Sequence, residues 1–362
     1  MSLSKFSLLN LPDVAFHVVA DFWTPFELLH FSTITKRTKR MAIDSNKKAY
    51  EIDLNGWPCQ TVTITFDGEE NSIWKTCFIS EEAQKTERDD DEMISRFQWK
   101  LVPGNCLQEA IKQWKFSMEI FKYSRISVSI NPMNSTLEDR KILFDLMNST
   151  SDLKDILSLK IDCITERDMD FVFNNCNVDL AFLFLSTGFD NKDYKPPQTI
   201  KTKNILIMSG ITFNILRALD SVYIRSLSYN VTSEDVNGFL KDWQSSKAYC
   251  SMKKAEFYDG HWNLKKLLEG TSATSRDPRT VKRSITVGAN THWIFGGFDI
   301  QRKDGVTATL QLGLHRMKTG TAEVPEELIK DYEDFLKSDD PVEGYGEDGE
   351  QPKKRPLYVY VW

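Results

Sequence analysis

The sequence lacks the short motifs that mark the commoner catalytic sites. It has no Gly-x-x-x-x-Gly-Lys-Ser/Thr phosphate loop, no Gly-x-Ser-x-Gly nucleophile turn and no His-Glu-x-x-His metal pair. Its five histidines are dispersed, and none lies next to a cysteine. We therefore predict a protein that is not an enzyme and that uses no cofactor and no metal. An α/β enzyme whose site is assembled from distant residues is the alternative.

Three further features are missing: a long apolar run, closely paired cysteines and an excess of positive charge. The apolar N-terminus is interrupted by Pro12, Asp13 and His17, so we predict neither a signal peptide nor a membrane span. The six cysteines include no Cys-x-x-Cys pair, which is typical of a reduced protein of the cytoplasm or nucleus. A net charge of −6 gives no general attraction to nucleic acid or anionic lipid, so we expect neither as a partner.

What the first fifty residues do contain is a set of strong helix starts. Pro12 and Pro25 each stand where a first helical residue is expected, and Thr24 with Glu27 forms a capping-box pattern. Apolar residues recur at helical spacing after both prolines, and a third, basic helix is predicted from about Thr35. So short a segment leaves apolar surface for the rest of the chain or another protein to cover. An ordinary amphipathic subdomain is the alternative.

Residues 6–46 resemble an F-box, in the version found in the large nematode F-box families. The shared order is Leu-Pro at 11 and 12, an amphipathic helix, Pro-x-Glu-Leu-Leu from 25, and Ser-x-Ile-x-Lys-Arg-x-Lys-Arg from 32. Thr38 departs from the pattern, because many members carry tryptophan there. The resemblance implies a helical unit that binds a Skp-type adaptor and, through it, a cullin-RING ubiquitin ligase. Its expected adaptor contacts, for which internal packing is the alternative, are Leu11, Pro12, Val14, Val18, Phe26, Leu28, Leu29, Ile34 and Lys36.

After this segment the apolar pattern alternates. Short strands are predicted over 50–54, 62–66, 73–79 and 97–102, a polar surface loop over 81–92, and a helix over 107–123. From residue 126 the centres of strand-like runs recur every 21 to 31 residues, close to the roughly 20 to 29 residues of leucine-rich repeats. These centres are Val128, Leu159, Phe184, Leu206, Leu227 and Phe257.

The intervening helices begin at similar capping signals. Thr136, Thr165 and Thr232 stand at N-cap positions, with the reciprocal pairs expected at 135 and 138, 165 and 168, and 232 and 235. Stacked strand-helix units can cover each other's apolar faces. We therefore predict an α/β fold in which an irregular leucine-rich-repeat-like solenoid with a parallel sheet spans about 126–260. An ordinary open α/β sheet fits the same alternation.

The last hundred residues are more varied. The Ser-, Thr- and Arg-rich stretch 270–290 predicts a surface loop, and Asp304-Gly305 between 298–300 and 307–312 predicts a tight β-hairpin. The acidic stretch 331–352 is expected to be mobile. The apolar residues 357–362 predict a terminal strand that pairs with the hairpin or another strand.

A second resemblance concerns this later part of the chain. The run Ser-Leu-Ser-Tyr-Asn-Val-Thr-Ser-Glu-Asp-Val-Asn-Gly-Phe-Leu-Lys-Asp-Trp over 226–243 is similar to the type 2 F-box-associated domain that accompanies the nematode F-box. Residues 298–310 are similar to the end of the same arrangement. Together with the patterns above, the two resemblances divide the chain into four predicted segments: an F-box over 1–48, connecting strands and a helix over 49–125, a solenoid-like F-box-associated domain over 126–325, and an acidic flexible segment ending in a terminal strand over 326–362. They also imply the substrate-recognition subunit of an SCF-type ubiquitin ligase, with sequestration of a partner without degradation as the alternative.

The target protein is expected to bind the exposed face of the predicted sheet. Polar residues that alternate with the inward apolar ones would line that face. They are Ser127, Ser129, Lys160, Asp162, Ser226, Ser228, Lys254 and Glu256. The run from Phe182 to Leu185 is apolar on both faces, which favours a central strand covered on both sides over an exposed contact patch.

Overall fold

The computed structural model describes two compact units, Met1–Ile161 and Asp162–Trp362. Within them it describes residues 9, 11–56, 59–66, 72–80, 97–132, 135–162, 165–186, 191, 193–209, 212–227, 231–258, 262–287, 290–312, 318–319, 323–337 and 356–362. The expected mixed α/β class is confirmed. The four finer segments stay predictions.

Ten helices lie in the described residues. They are α1 Asp13–Asp21, α2 Pro25–Ser32, α3 Lys36–Asp44, α4 Cys106–Ile120, α5 Leu137–Asn148, α6 Glu166–Asn175, α7 Phe213–Arg217, α8 Ser233–Gln244, α9 Leu264–Leu268 and α10 Glu326–Lys337. Five of them carry complete capping boxes, in which a threonine hydroxyl and the side chain three residues later satisfy each other's backbone donors.

Seventeen strands complete the described elements. They are β1 Lys48–Asn55, β2 Gln60–Phe66, β3 Ser72–Ser80, β4 Phe97–Val102, β5 Lys122–Ile130, β6 Leu157–Asp162, β7 Leu180–Ser186, β8 Ile200–Ser209, β9 Leu219–Ser226, β10 Lys254–Phe257, β11 Thr274–Arg276, β12 Lys282–Val287, β13 Asn290–Phe295, β14 Gly297–Gln301, β15 Thr307–Leu312, β16 Lys318–Thr319 and β17 Leu357–Val361.

In the first unit, six strands run in the order β6, β5, β1, β2, β3, β4. β1 pairs in parallel with β5, and β5 with β6, while β2 is antiparallel to β1 and β3. The helix α4 covers one face, where Trp114 donates its indole N–H to the carbonyl of Ile52 at 3.3 Å. Ile52 and Leu54 point to this side and are fully buried, so Glu51 and Asp53 point to the other.

The three N-terminal helices pack on the same unit. α2 contacts α3 and α4, and the rings of Phe26 and Trp74 meet edge to face at 5.2 Å. Lys47 donates to the carbonyl of Trp23 and lies over the ring of Phe66, and burial lowers its pKa. The helices are therefore joined to the sheet by both apolar and polar contacts.

In the second unit, β7, β8, β9 and β10 are consecutive parallel neighbours. The terminal strand β17 is inserted antiparallel between β10 and β15, which confirms the predicted return of the C-terminus. The predicted hairpin is also confirmed, with Gly305 at φ 90° in its turn. A separate small sheet has the order β12, β13, β16. α8 packs on the parallel strands, where the rings of Phe239 and Phe257 are 5.4 Å apart.

Several local predictions need correction. The stretch 270–290 is not a loop, because it contains β11 and the start of a hairpin formed by β12 and β13. The stretch from 331 is helical through Lys337, whereas 338–352 and the predicted loop 81–92 lie outside the described residues.

Pro12 is the N-cap of α1 rather than its first residue. Thr136 forms its capping box with Asp139, α4 ends at Ile120, and Leu227 lies just beyond β9.

Candidate functional site

A row of exposed apolar side chains lies on α1 and directly after it. Val14 is 78% exposed, Val18 56% and Phe22 84%. They are spaced four residues apart and so share one face of the helix. We call these three residues the N-terminal stripe. Ile34, between α2 and α3, is also 60% exposed. A row of apolar side chains left in water is typical of a protein-binding surface.

The opposite face of α1 forms the core of the three helices. Phe16 and Ala20 are buried there, and the rings of Phe16 and Phe31 stack at 5.6 Å. Phe16 and Val18 are two positions apart, which is about 200° of helical rotation. The helix is therefore apolar on both sides, and the described part of the chain covers only one of them.

The predicted adaptor contacts divide between surface and core. Pro12, Val14, Val18, Ile34 and Lys36 are exposed and so are open to a partner. Leu11 and Phe26 are half-buried, the latter against Trp74. Leu28 and Leu29 are 0% and 6% exposed, so the prediction that they contact an adaptor is corrected: they pack inside the protein itself. Phe22 was missed, although its four-residue spacing from Val18 is the signal that places it in the stripe.

Basic side chains accompany these apolar ones. Lys36 and Arg40 are exposed on α3, while Arg37 donates to the carbonyl of Leu9 at 2.6 Å and Lys39 is paired with Glu119. The positive charge of Lys36 and Arg40 would suit an acidic rim on a partner.

The second surface is polar and lies on the sheet of the first unit, on the face away from α4. Asp53 accepts hydrogen bonds from Ser127 and from Ser129, the latter at 2.9 Å. The ammonium of Lys160 lies 2.8 Å from Glu51 and 3.6 Å from Asp53. Burial raises the pKa of Asp53. Burial alone would lower the pKa of Lys160, but the charges of Asp53 and Glu51 raise it.

These internal bonds limit what this face can offer to a target. Ser127 is fully buried and committed to Asp53, so its prediction as a target contact is corrected. Ser129 and Lys160 are half-buried, and Asp162 is exposed. Sequence reasoning missed Glu51 and Asp53, even though they alternate with the buried Ile52 and Leu54.

In the second unit, the face of the sheet away from α8 carries a network centred on Glu256. Its carboxylate is 2.7 Å from Arg225 Nε, accepts the Tyr258 hydroxyl at 3.0 Å, and is paired with Lys254. Burial would raise the pKa of Glu256, but the hydrogen bonds from Lys254 and Arg225 hold it below its usual value. Two cations thus share one carboxylate, and the Arg225 side chain remains 55% exposed.

Apolar side chains adjoin this arginine. Cross-strand register places Phe184 beside Leu206, and Leu206 beside Arg225. The guanidinium lies 5.8 Å from the ring centroid of Tyr258. We call this set the arginine patch; it consists of Phe184, Leu206, Tyr223, Arg225 and Tyr258. Its four apolar or aromatic members are half-buried, so part of each ring or branch is available to a ligand.

The arginine patch corrects two predictions on this part of the sheet. Leu183 and Leu185 are buried on the helix side, but Phe182 and Phe184 are only half-buried on the other, so the strand is not fully covered on both faces. Ser226 is 1% exposed, because its alternation with Arg225 turns it toward the helices. Ser228 lies outside the described residues.

The predicted Lys254 and Glu256 do lie on the face of the arginine patch, but both are tied into its ion pairs. Lys254 is half-buried and Glu256 is 5% exposed. Glu256 therefore serves to hold Arg225 and Lys254 in place, while Arg225 presents the charge. Sequence reasoning missed Arg225, although its alternation with Ile224 and Ser226 could have placed it.

The C-terminal strand extends the same face. Tyr358 and Tyr360 on β17 follow Glu256 and Lys254 in the register. Ile294 of the small sheet packs against both tyrosines, with Trp362 at the margin. This end of the face is therefore covered by the protein itself, and the arginine patch is the part left partly open.

A cavity of about 10 Å³ beneath α8, lined by Phe213, Val236 and Phe239 among others, holds one water molecule at most. Within the described ranges, no group of three or more His, Cys, Asp or Glu side chains could bind a metal ion. None of the helices described is both long and apolar enough to cross a membrane.

A scan of family models gives no match to this chain, and neither do searches of curated proteins and of solved structures.

Proposed function

We propose that this chain is the substrate-recognition subunit of an SCF-type E3 ubiquitin ligase. The observation that carries the proposal is the N-terminal stripe, which is exposed on α1 within a segment that resembles an F-box. In this proposal the stripe binds a Skp-type adaptor and a sheet face binds the target. Catalysis by proximity needs no active site and no cofactor in this chain, because the tether raises the concentration of target lysines near the charged ubiquitin.

The stripe offers enough apolar area to matter in binding. Full burial of an aliphatic or aromatic side chain contributes about 1.5 to 3 kcal/mol. Val14, Val18 and Phe22 are each more than half exposed, so their joint burial would contribute roughly 3 to 6 kcal/mol before the cost of association. Lys36 and Arg40 would add orientation rather than affinity.

The arginine patch is the proposed target site. It combines an exposed guanidinium with neighbouring aromatic and aliphatic side chains, which suits a peptide segment that carries a carboxylate or a phosphate beside apolar residues. The consecutive parallel strands β7 to β10 have the strand order of a solenoid, and we propose a leucine-rich-repeat-like, F-box-associated domain here. The proposed place of action is the cytoplasm or nucleus.

Adaptor capture tests the first half of the proposal. The full chain should retain a Skp-type adaptor in a pull-down, and Val18→Asp with Phe22→Asp should abolish retention without changing the melting temperature, because both side chains are exposed. Leu137→Asp is the matched control, since Leu137 is 46% exposed at the start of α5, and it should retain the adaptor. Equal retention by the stripe variant and the control would refute the proposed docking.

Proximity labelling tests the second half. Proteins that accumulate near the full chain when the proteasome is inhibited should be labelled less by Arg225→Ala. Arg279→Ala is the control, since Arg279 lies on the same unit and is paired with Asp277 and Glu333. Labelling that is unchanged by Arg225→Ala would refute the patch as target site. A labelled partner whose half-life does not change when the chain is removed would instead indicate sequestration.

A further inference from the structure

Two of the cysteines lie in contact at the start of the β2–β3 pair. Cys59 precedes β2, and Cys77 lies within β3. Their sulfur atoms are 3.0 Å apart, although 17 residues separate the two positions in the sequence. Both are present as thiols. A disulfide bond requires about 2.05 Å, so an approach of about 1 Å would join them.

The two thiols differ in access to solvent. Cys59 is half-buried, whereas Cys77 is 1% exposed. A small oxidant can therefore reach the sulfur of Cys59 first, while Cys77 is held behind it as the second thiol. This is the arrangement of an attacked cysteine and a resolving cysteine.

We propose that Cys59 and Cys77 form a reversible redox pair that a peroxide converts into a disulfide. This inference is independent of the proposed ligase function. It assigns the start of the β2–β3 pair as a modification site, with hydrogen peroxide as the oxidising substrate.

The reaction balances in two steps. The sulfur of Cys59 attacks one peroxide oxygen, the O–O bond breaks, and a sulfenic acid and one water form. The sulfur of Cys77 then attacks the sulfur of Cys59, the S–O bond breaks, and the departing hydroxide takes the Cys77 proton to form a second water. Two thiols lose two electrons and two protons, and one peroxide is reduced to two waters. An external thiol reverses the change by exchange.

The contact also determines how fast the pair should react. The hydrogen bond with Cys59 and burial raise the pKa of the Cys77 thiol. Because the thiolate is the attacking form, the resolving step should be slow at neutral pH and faster in alkaline solution. The closeness of the two sulfur atoms compensates, since the second step is intramolecular.

The link would act on the strands around it. Cys77 is paired in register with Thr61 on β2 and with Trp99 on β4. Joining residue 59 to residue 77 ties the entry of β2 to the middle of β3. Oxidation should therefore raise the melting temperature of the first unit by several degrees, and dithiothreitol should restore the original value.

Peptide mapping of the full chain provides the decisive test. Trypsin cuts after Lys48, Lys75 and Lys85, so Cys59 falls in peptide 49–75 and Cys77 in peptide 76–85. After peroxide treatment, alkylation and digestion without reductant, these two peptides should be recovered as the major linked pair, with loss of two titratable thiols. The same treatment in guanidinium chloride should lose this selectivity.

Two variants complete the design. Cys59→Ser should abolish the linked pair, whereas Cys250→Ser, which removes an exposed thiol in the second unit, should leave it intact. Recovery of peptide 49–75 joined mainly to peptide 101–112, which carries Cys106, would overturn the inference. So would recovery of both peptides alkylated, or of Cys59 as a sulfinic acid with Cys77 still reduced.

Discussion

Replacing Leu28 by alanine tests whether the N-terminal helices have a core of their own, distinct from the stripe. Leu28 is 0% exposed on α2, and α2 packs against α3 and α4. The substitution removes three carbon atoms, and at roughly 0.8 kcal/mol each their lost transfer amounts to about 2.4 kcal/mol. A residual cavity adds to this, so we expect a loss of about 3 kcal/mol in the free energy of unfolding. Val18→Ala, on the exposed face, should change it by less than about 0.5 kcal/mol.

Urea titration of the full chain, followed by circular dichroism, measures the two variants. Hydrogen exchange of the α2 and β1 amides then shows that the loss lies in the first unit. The slope of the unfolding free energy against urea should not change, because the folded state is the same. A Leu28→Ala protein within about 0.5 kcal/mol of the wild type, or a Val18→Ala protein as unstable as Leu28→Ala, would refute the assignment of the two faces.

Leu28→Ala and the double variant Val18→Asp with Phe22→Asp separate folding from docking when the adaptor is added. Ligand at a hundred times its dissociation constant stabilises the folded state by about 2.7 kcal/mol. Adaptor should therefore restore most of the stability of Leu28→Ala, because the stripe of that variant is intact. It should have no effect on Val18→Asp with Phe22→Asp. Leu28→Ala should thus weaken folding but still bind the adaptor. The double variant Val18→Asp with Phe22→Asp should fold normally but no longer bind it.

Three further outcomes concern the second unit. Gly238→Ala should stabilise α8 by about 0.5 to 1 kcal/mol in denaturant titration, because the new methyl group would meet the Phe213 ring at an ordinary 3.4 Å. Asp299→Ala should cost about 2 kcal/mol or more by the same assay, since it strips Arg283 of a two-point ion pair at 2.6 and 2.7 Å. Asp299 and Glu256 both have lowered pKa values in the folded state. The stability that these carboxylates contribute is therefore present above their unfolded pKa values, near 4, and is lost as the pH falls through their folded pKa values. The melting temperature should decline below about pH 5, and it should decline less steeply in Glu256→Gln.

Local signals in the sequence were sufficient to predict where most of the described helices begin. Thr24, Thr165 and Thr232 cap their helices as predicted because a hydroxyl and an acid three residues later need no other part of the chain. The terminal strand was equally predictable, since six consecutive apolar or aromatic residues have few stable positions outside a sheet. These features depend on residues close together in the chain.

The stretch 270–290 shows where local signals fail. Its serines, threonines and arginines carry no apolar period, yet residues 282–287 form β12. Arg283 reaches Asp299 on β14 and the hydroxyl of Thr309 on β15, and it stacks over Trp362 at 5.5 Å. The strand is thus fixed by partners 16 to 79 residues away in the sequence, and no pattern within the strand itself could have indicated them.

The N-terminal helix presents the more instructive difficulty. Its sequence is apolar at Val14, Phe16, Val18, Ala20 and Phe22, which divides between two opposite faces of one helix. Periodicity shows that both faces are apolar but cannot say which one the chain will cover, because that depends on where α2 and α3 pack. The stacking of Phe16 on Phe31 places the face that carries Phe16 and Ala20 inside. The other face, which carries Val14, Val18 and Phe22, is then the one that indicates a binding partner, because the protein already has a core without it.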